Sequence, residues 1–186
     1  MTLNDIIKMA LAHLEYGTDE DAVSTFQERF TIYANDAVRI IADSLKMTAT
    51  ETVPVVDKSF SVFSLLHECT KIVSVAKNGA EVDFDNGPEF GQITLAEDGE
   101  YTVTYRYVPT PMYGLTDTPN IPPVFHPILY LYIVHCHHNS RSTSSDFDRM
   151  KWNQSFHEQM HRLVRRNYAT PKTFKFSKLP WQTGEI

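Results

Sequence analysis

The sequence predicts an α+β fold: a layer of about four helices, an antiparallel β unit inserted between the second and third, and an extended C-terminal arm. Three observations carry this. Apolar residues recur at helical spacing through the first 47 residues and again in the last third of the chain. Between them, residues 50–110 switch to a period of two, broken by turn dipeptides. Residues 169–186 then interleave lysines with aromatics.

Leu3, Ile6, Ile7, Ala10, Leu11 and Leu14 form one apolar stripe, opened near Asn4 and Asp5 and stopped by Gly17. After a cap region at Thr18, Asp19, Glu20 and Asp21, a longer stripe runs through Ala22, Phe26, Phe30, Tyr33, Ala37, Ile40, Ile41 and Leu45. The β-branched pair Thr31 and Ile32 marks a point where this second helix is expected to be interrupted. The short connection makes the two helices a hairpin.

Thr50, Thr52, Val53, Val55 and Val56 are strand formers, and Pro54 among them implies an edge position. Phe60, Val62 and Phe63 read as a further short strand. Residues 71–77 and 80–84 flank Asn78-Gly79, the dipeptide that tolerates the positive φ angles of a two-residue hairpin. Asn86-Gly87-Pro88 turns the chain, and residues 92–95 form another strand. Tyr101, Val103, Tyr105 and Tyr107 then alternate with Thr102, Thr104 and Arg106, one face buried and one wet. The proline-rich residues 109–123 fit neither regular structure and are expected to run as an extended connector back to the helical layer.

Residues 128–134 are all apolar or aromatic. Pro127 before them and His135, His137 and His138 after them predict a central helix over residues 125–139. The run falls short of the roughly 20 residues of a membrane span. A last helix is expected from the Ser145/Asp148 capping box to about Asn167, with Trp152, Phe156, Met160, Leu163 and Val164 inside. Residues 1–168 thus read as a single domain: helical layer 1–49 and 122–168, with the β unit between.

The composition is that of a soluble globular protein, 42% hydrophobic. The start Met-Thr-Leu-Asn-Asp predicts no secretory signal or lipidation site. The two cysteines, Cys69 and Cys136, lie far apart, so no disulfide scaffold is expected and a reducing compartment fits. The formal charge of −6 hides an asymmetry. Residues 1–150 hold 10 of the 17 bases and 21 of the 23 acids, a balance of −11, whereas residues 151–186 balance at +5. An acidic body disfavours wrapping nucleic acid. Lys172, Phe174, Lys175, Phe176, Lys178, Leu179 and Trp181 form the basic, aromatic arm. It has too few apolar groups to fold alone and too many aromatics for a solvating tail. It reads as a segment that orders on a partner, by strand addition or by aromatic insertion into pockets, or that packs back on its own domain.

Two histidine groups are candidates for chemistry. His157, Glu158 and His161 match H-E-x-x-H, in which two histidines one helical turn apart bind zinc and the glutamate activates water. A third ligand is missing: downstream there is no histidine and only Glu185. Glu158 is expected instead to pair with Arg162. His126, His135, His137 and His138 could hold a metal if two converged, or could simply match the helix dipole at the end of the central helix. No phosphate loop, nucleophile elbow or paired-carboxylate pattern is present.

Four stretches together resemble the head-to-tail connector (neck, or portal adaptor) proteins of tailed bacteriophages: residues 26–43, the turn-rich residues 93–105, the Pro122-Pro123 approach to the central helix through Leu129, and the last helix with Trp152 and Phe156. The resemblance implies a helical bundle with a β insertion and no catalysis. It implies a homo-oligomeric ring, commonly of 12 subunits, in the neck of the virion between the portal protein and a further neck or tail protein. DNA would pass the lumen without specific binding, and no cofactor, metal or membrane would be needed. The arm would dock on the portal. The H-E-x-x-H helix is no part of that family pattern. The alternatives are a small zinc-dependent hydrolase using His157 and His161, and a phage assembly chaperone that only visits the particle.

Overall fold

Local chemistry decides where each helix begins. The computed structural model describes residues 1–141 and 145–168. Helix α1 spans Leu3–His13 and opens with a reciprocal capping box: the Thr2 hydroxyl accepts the Asp5 N–H at 3.3 Å, and the Asp5 carboxylate accepts the Thr2 N–H at 2.9 Å. Those bonds hold the Asp5 carboxyl below its ordinary range. Gly17, at φ +81°, turns the chain, and Asp19 caps α2 (Glu20–Leu45) by accepting the Ala22 N–H at 2.8 Å. The expected interruption at Thr31 is absent. The Thr31 hydroxyl bonds back to the Gln27 carbonyl at 2.7 Å, and the neighbouring Phe30 is fully buried, so tertiary packing overrides propensity.

The central helix expected over residues 125–139 is divided. A 3-10 helix, Pro123–Ile128, precedes α3, Leu129–Asn139. Pro127 has no N–H to give, so the tighter i to i+3 pattern carries this turn, as in the bond from Leu129 N–H to the His126 carbonyl. Helix α4 spans Asp146–Tyr168; before it, the Ser145 hydroxyl accepts the Asp148 N–H at 3.1 Å and donates to the Asp148 carboxylate at 2.6 Å. Helix α3 packs against α1, α2 and α4, which explains a sequence apolar on nearly every face. Phe30, Phe125, Leu129, Ile133 and Phe156 are fully buried in this core, each worth about 1.5–3 kcal/mol of burial.

The β unit begins at Thr48 and has its own core. Strands β1 (Thr48–Val55), β3 (Cys69–Lys77), β4 (Ala80–Val82) and β7 (Gly99–Tyr107) form one antiparallel sheet in the order β1-β7-β3-β4. Pro54 sits on the edge strand β1, where its missing donor costs no ladder bond. Asn78 and Gly79, at φ +53° and +83°, make the β3–β4 hairpin. A second sheet joins β2 (Ser59–Ser61), β6 (Gln92–Thr94) and β5 (Asp85–Asn86), the last a strand where the sequence suggests only a turn. Val62 and Phe63, expected in a strand, lie in a 3-10 turn capped by Ser61. Tyr101, Val103 and Tyr105 point inward with Val53, Val55, Val75, Ile93 and Leu95, as the alternation requires.

Residues 108–122 contain no helix or strand but do more than cross the surface. The carbonyls of Asp117 and Leu115 accept the N–H groups of Leu3 and Asn4, donors that no helical turn can satisfy. The Asn35 side chain bonds both the N–H and the carbonyl of Met112 at 2.9 Å, anchoring this buried methionine on α2. The connector thereby closes the N-terminal end of the bundle. Both cysteines are free, and burial pushes their thiols up. No described helix is long and apolar enough to cross a membrane.

Candidate functional site

The H-E-x-x-H residues lie on α4. The His157 and His161 rings stack with centroids 6.3 Å apart, and His157 also meets Phe156 edge-on at 5.2 Å. Burial, then the neighbouring His161 and His135, lowers the His157 pKa, so its neutral imidazole is favoured. Glu158 does not pair with Arg162: it accepts from the Gln154 amide at 2.7 Å, and the ion pairs among the described residues are Lys77–Glu97 and Arg149–Asp146. The third imidazole near this pair, His135, is engaged at both nitrogens. Its Nδ1–H donates to the Arg149 carbonyl at 2.9 Å, which leaves Nε2 to accept the Asn139 amide at 3.0 Å. Among the described residues, no group of three or more His, Cys, Asp or Glu is placed to hold a metal ion.

Two of the other histidines, His126 and His137, are buried. His137 is 3% exposed, its ring set edge-on to Tyr16, Phe26 and Phe30, with Nε2 3.0 Å from the Tyr16 hydroxyl. The Arg141 guanidinium donates to the same hydroxyl. Burial, followed by the charges of His138 and Arg29, pushes the His137 pKa down. His126 is also buried, its Nε2–H donating to the Ile121 carbonyl at 3.0 Å. The dipole reading fails for His137, because its side of the last turn of α3 faces Tyr16, Phe26 and Phe30. His13 stacks on Tyr130 at 4.5 Å, a contact no local spacing predicts.

No family model matches the chain, and no curated protein matches it at a significant level.

Large apolar side chains stand in solvent on the β unit, as Tyr113, Phe147 and Met150 do on the connector and α4. Phe90 is 93% exposed, Leu66 79% and Phe63 70%, and Phe63 and Phe90 touch with ring centroids 5.9 Å apart. Sequence reasoning missed them because an isolated Phe in a strand region is ordinarily core. The arm residues Lys172, Phe174, Lys175, Phe176, Lys178, Leu179 and Trp181 lie outside the described residues, as does Glu185.

Proposed function

We propose that the chain is a structural virion subunit, a head-to-tail connector that forms a ring between portal and tail and lets DNA pass. The observation that carries this reading is the unfinished surface of the β unit. Phe63, Leu66 and Phe90 stand in solvent on a domain whose helical core buries its apolar stripes, and large exposed apolar groups mark sites of protein association. The α+β architecture agrees with what the resemblance leads one to expect. Of the histidines near the H-E-x-x-H pair, His135 is hydrogen-bonded at both nitrogens, while His157 and His161 stack on each other. In this reading the acidic body suits a lumen that repels the duplex, and the basic arm docks on the neighbouring portal ring.

Deleting residues 169–186 should leave the thermal unfolding of residues 1–168 unchanged while abolishing co-sedimentation with portal rings. A truncated chain that still co-sediments with undiminished affinity defeats the docking role. Absence of the chain from purified virions would defeat the connector role and favour a chaperone. Stoichiometric zinc in the purified protein, lost on His161→Ala, would favour the hydrolase.

A further inference from the structure

We propose that the Glu89–Phe90 tip of one copy inserts into a cationic pocket of a second copy, at the junction of the helical layer and the β unit. The inference rests on the ring reading in one respect, that copies of this chain associate. The pocket, of about 210 Å³, lies between the C-terminal turns of α2 and strands β3 and β7. Its apolar lining includes Ala42, Met47, Val108 and Pro109; a dry cavity of about 150 Å³ suffices for a benzene ring. Arg39, Lys46 and Arg106 also line it, against one acid, Asp43. None of the three cations forms an ion pair among the described residues. The pocket thus offers a hydrophobic floor beneath a net positive rim.

A matching occupant is an aromatic ring next to a carboxylate, and the β unit presents one. Glu89 and Phe90 both stand in solvent on the loop between β5 and β6. The loop is held in place: Gly87 N–H donates to the Gln92 carbonyl at 2.8 Å, Gln92 N–H to the Glu89 carbonyl at 3.1 Å, and Val62 N–H to the Gly91 carbonyl at 2.8 Å. Gly91, at φ +76°, is required here, because a Cβ would come within 2.6 Å of the Phe63 ring. A tip ordered before it binds loses little entropy on insertion. Phe90 would supply the buried anchor and Glu89 the charge that the rim lacks.

The test is sedimentation velocity of the full chain over a range of concentrations, with circular dichroism to check folding. Phe90→Ala should weaken self-association roughly thirtyfold, the loss typical of a hot-spot residue, with an unchanged spectrum. Arg39→Glu with Lys46→Glu should weaken it comparably, and adding Glu89→Arg to that pair should restore much of it. A wild-type oligomer untouched by these substitutions overturns the contact and leaves the ring reading standing. A closed dimer that Phe90→Ala dissociates supports the contact and overturns the ring. A wild-type chain monomeric at every concentration overturns both.

Discussion

The helical layer and the β unit differ in how each builds its core. In the layer, α3 is enclosed by three other helices, and Phe30, Phe125, Leu129 and Phe156 have no contact with water. In the β unit two small sheets share a core of short strands, while Val56, Phe63, Leu66, Val73 and Phe90 remain outside. Val73 is extruded where the β3–β7 register slips between Ile72 and Ser74, a bulge that turns one side chain out of the sheet. Exposed apolar side chains are not confined to the unit: Tyr113, Phe147 and Met150 stand in solvent outside it.

The contrast is broken most severely by truncating each core. Phe30→Ala should cost about 3–5 kcal/mol and unfold the bundle at ordinary temperatures, whereas Val103→Ala in the β core should cost about 2 kcal/mol. Denaturant titration followed by tryptophan emission from Trp152, which packs on the helical core, reports the first. Equal costs at the two sites would erase the distinction.

A smaller effect is expected from acid. The folded pKa of His137 is depressed by burial, so above the ordinary histidine range both states are neutral and stability is at its plateau. As the pH falls below about 6.5 the unfolded chain takes up a proton that the folded one resists, and stability declines. Thermal midpoints should therefore fall between pH 7 and pH 5, and His137→Phe, which keeps a ring against Tyr16, Phe26 and Phe30, should flatten that slope. An unaltered slope would place the sensitivity elsewhere, with His157 the next group to examine. The smallest effect belongs to the tip: Phe90→Ala should move the unfolding midpoint by no more than the equivalent of about 0.5 kcal/mol, because nothing is uncovered.

What the sequence reveals follows the range of the interaction. The Asn78-Gly79 hairpin and the Asp19 cap are set by bonds within a few residues, and the missing N–H of Pro54 is a property of one residue, so each is legible. The split at Pro127 was open to the same reasoning, since a proline two residues before Leu129 favours a tighter turn, yet the apolar run masked it. The burial of His126 and His137 was not legible. For His137 it depends on Tyr16 from the α1–α2 connection and Phe26 from α2, which spacing along α3 cannot disclose. The exposure of Phe90 was hidden for the converse reason: only the fold shows that no neighbour covers it. Candidate metal ligands at His157 and His161 are visible as a motif, whereas the bond of His135 beside them to the Arg149 carbonyl on α4 is again tertiary.

The most direct test of the connector reading is native mass spectrometry of the purified chain, alone and mixed with portal rings. The reading predicts a discrete oligomer of one stoichiometry that adds to the portal as a unit, with residues 169–186 protected from proteolysis only in the joint particle. A chain that stays monomeric in the mixture, leaving the portal mass unchanged, would contradict it.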